Sequence, residues 1–191
     1  MYAVQEFFIH ASRLCRSRGF GVQSPADYIF ITDVINARYP YYAYEDLHER
    51  FPHTDRRREK LYRLCFRIAN NVQPHTIVCL LDDPACAAYL RAGCHRAVIT
   101  PHISGDAATQ HLVCVAQLSD KTAAMTDGLI ARGNDACSVT VLDGIHAGKT
   151  ATRLWDAIVR SGRATTFDLY HAGIVLADKK RKYKHNYSIN F

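Results

Sequence analysis

The amino-acid sequence predicts an α/β protein built on an open, doubly wound, mostly parallel sheet with an antiparallel edge. Three observations carry this. Short apolar runs, "TIVCLL" (76–81) and "CSVTVLD" (137–143) among them, have the unbroken character of strands buried on both faces of a sheet. Segments with helical spacing alternate with those runs. The chain then finishes in strand-like segments joined by tight turns, as a closing hairpin does.

Residues 1–18 and 25–37 have helical spacing, broken by "GFGVQSP". Ser24 is placed to cap the second of these helices, with Pro25 at its first position and Asp27 at its third. "YPYYAYEDL" reads as an aromatic connector. From Asp55 to Asn71, Leu61, Leu64, Cys65, Ile68 and Ala69 line one face of a basic helix capped by Thr54 or Asp55, and Asn70-Asn71 with Pro74 end it. "TIVCLL" is the first buried strand, "PACAAYLRAG" a short helix and "RAVIT" a second strand. "HLVCVAQL" (111–118) is a third strand or a helix start. "KTAAMTDGLIARG" is helical, "CSVTVLD" a strand, and "ATRLWDAIVRSG" a helix closed by Gly162. "ATTFDLYHAGIVLADKK" and "HNYSINF" form the hairpin. The division is a helical N-terminal extension over 1–54 and an α/β domain over 55–191, in one compact unit.

Bulk composition bounds the function. The chain has 191 residues, 48% of them hydrophobic, enough for one substantial core. No apolar run reaches the roughly 20 residues that cross a bilayer. The N-terminus reads as an amphipathic helix, not as a signal peptide. Seven cysteines without C-x-x-C pairs fit buried free thiols in a reducing compartment, the cytoplasm. The net charge of +6 permits contact with nucleic acid but does not require it. Much of it sits in "RRREK" (Arg56 to Lys60), read as a solvated helix face, and "KKRKYK" (Lys179 to Lys184), read as the exposed turn of the final hairpin.

Motifs narrow it further. "DGIHAGKT" (Asp143 to Thr150) has the context of a P-loop but not its spacing, because Asp143 stands where the first glycine belongs and Gly144 comes one residue late. A capped helix start is the simpler reading, and Lys149 and Thr150 are the candidates if an anion binds there. His75 and Cys79, and Cys86, Cys94 and His95, lack the spacing of a metal site. Tyr39, Tyr41, Tyr42 and Tyr44 either pack on the sheet or line a substrate mouth.

The order of five stretches resembles a known family. "GVQSPADYIFITDVI", "YYAYEDL", "RRREKLYRLCFRIANNVQPHTIVCLL", "VTVLDGIH" and "TTFDLYHAGIVLADKKRKYKHNYSINF" are similar to segments of small class I S-adenosylmethionine-dependent methyltransferase-like proteins of Bacteroidetes. There the stretches read approximately G-V-H-S-P-F, Y-A-Y-E, a strand leading into E-L-G-T-x-x-G, D-D-I-H, and D-L-F-x-x-G-I-V-F. The likeness covers both ends and the first strand and fades between about 82 and 135. It implies a Rossmann-like methyltransferase fold with a terminal hairpin.

The resemblance also implies an eroded cofactor site. S-adenosylmethionine needs a glycine-rich turn after the first strand and an acid ending the second. Here Cys79 stands in place of the family's glutamate and Leu81 in place of its first glycine, followed by Asp82, Asp83 and side-chain-bearing Pro84-Ala85. Pro101-His102 replace the acid. Leu81, Asp82, Asp83 and His102 are therefore the cofactor-site candidates. "VLDGIH" keeps one of the family's two late oxygen ligands in Asp143, and Gly144 lacks the other. Asp143 and His146 are the catalytic candidates, the histidine as general base. The chain is some tens of residues shorter than typical members. A lost strand and crossover would expose apolar surface for a second copy, hence a homodimer.

Three readings result. The first is a methyltransferase-like protein with an eroded cofactor site, non-catalytic or weakly active, serving as a binding or assembly module with no cofactor expected. The second is an active S-adenosylmethionine-dependent methyltransferase acting on a small-molecule acceptor. The third is a binder of anions or nucleic acid through Lys149, Thr150 and the 179–184 run, which carries one tyrosine, Tyr183, and no stacking platform.

Overall fold

The computed structural model describes residues 22, 24–102, 111–132, 137–178 and 181–191. The helix expected over 1–18 and the lysines Lys179 and Lys180 lie outside them. The described residues build a mixed α/β structure on one seven-stranded, mostly parallel sheet. Helix α1 (Pro25–Phe30) runs into a π-turn (Ile31–Ile35) and is followed by α2 (Ala43–Arg50) and α3 (Arg56–Val72). Then come β1 (Thr76–Cys79), α4 (Pro84–Gly93), β2 (Val98–Thr100), β3 (Leu112–Gln117) and α5 (Asp120–Arg132). The chain closes with β4 (Ser138–Asp143), α6 (Lys149–Arg160), β5 (Thr165–Asp168), β6 (Ala172–Ala177) and β7 (Asn186–Ser188).

The strand order is β2-β1-β3-β4-β6-β5-β7. Strands β2, β1, β3 and β4 are mutually parallel, and β6 runs against both β4 and β5. The strands are apolar on both faces because both faces are covered. Val113, Val115, Val139, Val141, Ile174 and Leu176 face the layer of α1, α3 and α4. Ala116, Leu142 and Val175 face the other layer with Trp155 of α6, and Cys114 faces it with Leu129 of α5. The period of two is thus visible as two cores. Gly173 lets them close: a Cβ there would lie 2.5 Å from the Trp155 indole.

Local chemistry explains the helix ends. Ser24 accepts from the Asp27 amide at 3.3 Å, with Pro25 in the first turn, and Asp55 caps α3 by accepting from the Arg58 amide. The aromatic connector is partly helical. Glu45 and Asp46 in the first turn and His48 and Arg50 in the last complement the dipole of α2. Tyr41 and Tyr44 pack edge-on against Phe66, while Tyr39 and Tyr42 are exposed.

Arg67 holds the N-terminal helices to the rest. Buried at 7% exposure, it donates to the Val34 carbonyl at 2.6 Å and the Ile35 carbonyl at 2.9 Å, satisfying the last turn of the π-segment. Phe30 stacks 5.2 Å from Phe167 of β5.

The C-terminal segment departs from the expected hairpin turn. β5 and β6 do form the antiparallel hairpin, but its turn is Leu169–His171. β7 pairs parallel with β5 on its far side, and the Thr166 amide at the start of β5 donates to the His185 carbonyl. Arg181 is not exposed: it pairs with buried Asp27, which also accepts from the Tyr187 hydroxyl at 3.0 Å. Lys184 donates to the Asp178 and Arg181 carbonyls. The carboxylate buried in α1 draws Arg181 inward, while Lys182 and Tyr183 stay exposed.

Candidate functional site

In open α/β sheets, ligands sit outside the carboxyl ends of the strands where winding reverses. Here the reversal lies between β1 and β3, since the chain moves from β1 to β2 on one side and to β3 on the other. Three sets of side chains line that edge.

The first closes the β1–α4 turn. Leu80 continues the ladder by donating to the Val115 carbonyl, and the chain turns through Leu81, Asp82 and Asp83 into α4. Asp83 caps that helix: its Oδ1 accepts from the Ala85 amide at 2.9 Å. Its Oδ2 accepts from the Tyr62 hydroxyl at 2.6 Å and from Arg58 at 3.2 Å. Burial alone would raise the Asp83 carboxyl, but Tyr62, the Ala85 and Cys86 amides and Arg58 outweigh it and hold it below its ordinary value. Burial and the same carboxylate push the Tyr62 hydroxyl up. Leu81 turns inward against the core, and Asp82 is exposed. His102 is exposed past the end of β2, its amide donating to Thr100.

Beside Asp83 opens a cleft of about 410 Å³, with Arg50, Phe51, His53, Asp55 and Arg58 on its walls. Cys65 and Cys86 are buried nearby, and hydrogen bonding to the Cys86 thiol together with burial pushes the Cys79 thiol well up. Burial raises Cys114 to about 12. All six described cysteines are free, and the raised thiols of Cys79 and Cys114 are poor nucleophiles.

The second set is Asp143, Arg57 and Gln117. Asp143 ends β4, and its side chain meets Arg57 at 2.9 Å. Gln117, ending β3, donates to the Asp143 carbonyl at 3.1 Å. Gly144 follows at φ 76, a left-handed turn that a side chain would strain, with Gln117 Nε2 2.3 Å from where a Cβ would stand. Arg57 and Arg58 thus reach across the edge as two struts from the first turn of α3. The "RRREK" run is exposed, yet its middle is tied to the site.

The third set gathers on the hairpin side. His146 Nε2 lies 2.9 Å from Asp168 Oδ2, and its Nδ1 lies 3.5 Å from Thr152 Oγ1. Asp168 Oδ1 accepts from the Tyr170 amide at 2.8 Å. Tyr170 is held at φ 72, rare for a residue with a Cβ, and its ring covers His146 with centroids 5.8 Å apart. So Asp143 and His146 lie on one edge but have different partners.

Lys149 and Thr150 begin α6 and are exposed, and Gly148 offers no side-chain cap. They follow the C-terminal end of β4. The 181–184 residues lie past Ala177, which pairs with Ser138 at the opposite end of the same strand. The two basic features therefore do not share a surface.

Sequence reasoning missed Tyr62, Asp168, Thr152 and Tyr170 as site residues. The only cue was local: "FDLYHAG" places an acid just before a turn. Comparison with protein-family models, with curated proteins and with solved structures finds no match to this chain. No group of three or more His, Cys, Asp or Glu among the described residues is arranged to hold a metal ion, and no described helix is long and apolar enough to cross a membrane.

Proposed function

We propose that this chain is a methyltransferase-like protein with a Rossmann-like fold whose S-adenosylmethionine site has been lost, and that it serves as a binding or assembly module. One observation carries the reading. The turn where a cofactor-binding fold presents bare backbone to its ligand is filled by the Asp83 carboxylate, which takes the amides at the start of α4 and is clamped by Tyr62 and Arg58. A ligand carboxylate would meet that fixed negative charge and find the helix amides taken. Asp143, the remaining late oxygen, is engaged by Arg57. Winding that reverses at β1/β3, followed by a closing hairpin, agrees with the fold side of the resemblance.

The assembly half of the proposal rests on the sheet edge. β2 is three residues long, and Val98 on it is 65% exposed. Sedimentation at micromolar concentration tests it: a dimer is the expected result, and a clean monomer removes the homodimer. The cofactor half is tested by titration with S-adenosylmethionine and S-adenosylhomocysteine, where silence is expected.

A nucleic-acid reading loses support from the burial of Arg181 and the separation of the two basic features. Affinity for single-stranded RNA that falls steeply with salt would restore it.

A further inference from the structure

The hairpin side of the edge holds an arrangement that the lost cofactor site does not use. His146 stands on the loop after β4, Asp168 ends β5, and Thr152 lies in the second turn of α6. Three separate elements bring a hydroxyl, an imidazole and a carboxylate into one line, with separations of 3.5 Å and 2.9 Å. That is the pattern of an activated nucleophile, in which a hydroxyl lies within reach of a base and the base is oriented by a third group. In apo structures the hydroxyl–base distance is commonly the looser of the two.

The chemistry of each group follows from its partner. Asp168 is an acceptor, so the His146 nitrogen facing it, Nε2, carries the hydrogen. Nδ1 then holds the lone pair, and Nδ1 is the nitrogen that faces Thr152. The carboxylate is itself aimed, because the Tyr170 amide takes its other oxygen. Tyr170 is held in the left-handed region with its ring over the imidazole and 4.8 Å from His171. Non-glycine residues kept in sparsely populated conformations concentrate at functional sites. A bond between His146 and Asp168 made only to staple the loop would need neither a second nitrogen aimed at a hydroxyl nor a strained aromatic cover.

We propose that Thr152, His146 and Asp168 form a nucleophile, base and orienting carboxylate that hydrolyse a small carboxylic ester. The Thr152 oxygen bonds to the ester carbonyl carbon as its proton moves to His146 Nδ1. The carbon–oxygen bond to the alcohol breaks, and the alcohol leaves with that proton. Water then attacks the acyl-threonine, gives its proton to Nδ1, and the threonine oxygen departs with it. The products are the acid and the alcohol, and no other reactant is consumed. Thr152 and His146 are the catalytic residues, and Asp168 is a positioning residue. The His146 side chain is 25% exposed, so the imidazole is reached from solvent. The proposal is independent of the lost cofactor site, since it uses none of Leu81, Asp83 or Asp143.

p-Nitrophenyl acetate is the probe for the full chain. The expected result is saturable hydrolysis, with a single acetyl group found on Thr152 by peptide mass spectrometry after a rapid acid quench. His146→Gln, whose amide still reaches toward Asp168, should lower kcat about a hundredfold or more. Thr152→Ser should keep turnover and carry the acetyl group, and Thr152→Val should lose both. Asp168→Asn should lower kcat with little change in KM. It should also abolish the Nε2–H tautomer of His146 in long-range proton–nitrogen NMR spectra, which a merely structural contact far from the reaction would not couple to rate. Hydrolysis by the unaltered chain no faster than by Thr152→Val, or acetylation of Lys149 in place of Thr152, overturns the proposal. If Thr152→Val does not fold, the acetylation site in the unaltered chain and in Thr152→Ser decides alone.

Discussion

The Tyr62 hydroxyl lies 2.6 Å from the Asp83 carboxylate and donates its hydrogen to it, so a buried tyrosine of α3 fixes the acid that caps α4. Arg58, one helical turn earlier, holds the same oxygen. This contact joins the two helices on one face of the sheet and fills the turn after β1. The contact can be tested from both sides.

Tyr62→Phe removes the hydrogen bond and leaves the ring. A hydrogen bond to a charged group is worth about 1.5–3 kcal/mol, and Tyr62 is 2% exposed, so the loss should be near that range. Urea unfolding measures it. An unchanged midpoint with an unchanged slope would show that the contact contributes nothing.

The same carboxylate sets acid stability. Its value is held below normal in the folded chain, so the unfolded chain takes up the proton first as pH falls. The contribution is fully present above the ordinary Asp value of about 3.9 and is lost as pH falls through the lower folded value. Tyr62 acts at the other end. Its raised value gives stability that is present below about pH 10 and lost as pH rises beyond it. Asp83→Asn should therefore flatten the acid limb of stability against pH, and an unaltered acid limb would contradict the account.

Gly173→Ala tests the closure of the hairpin. The added methyl would lie 2.5 Å and 2.6 Å from two indole carbons of Trp155 and 3.0 Å from Ile145. Overpacking of this kind costs about 3 kcal/mol or somewhat less. Trp155 is the only tryptophan, so a red-shifted emission maximum should accompany the lower melting temperature.

Arg67→Met keeps the stem but removes three donors. The buried carbonyls of Val34 and Ile35 would lose their partner, at a cost of about 1–3 kcal/mol for each unsatisfied group. Hydrogen exchange should show the 25–35 segment opening before the sheet does. Uniform loss of protection across the sheet would show that Arg67 does not act locally.

Much of the fold was legible because its signals are local. Val113, Val139 and Ile174 lie in runs apolar on both faces, and Ser24 and Asp55 sit where helices start. The π-turn was not legible, because Arg67 stabilises it from more than thirty residues away. Within the Lys179–Lys184 run, read as an exposed turn, Lys182 and Tyr183 are exposed, but Arg181 is drawn inward by Asp27, a partner far off in sequence. At the site, Asp143 and His146 stood out as single residues, but their partners Arg57 and Asp168 depend on topology. The clamp on Asp83 was invisible because Tyr62 reads as one more core aromatic on an amphipathic helix.

The most direct measurement is isothermal titration of the purified chain with S-adenosylmethionine and S-adenosylhomocysteine, paired with a thermal scan. The account predicts no heat beyond dilution and no shift in melting temperature. A ligand at a hundred times its dissociation constant would stabilise the fold by about 2.7 kcal/mol, well within reach of the scan. Saturable binding of either compound would contradict the central claim and make the turn at Asp83 a working cofactor loop.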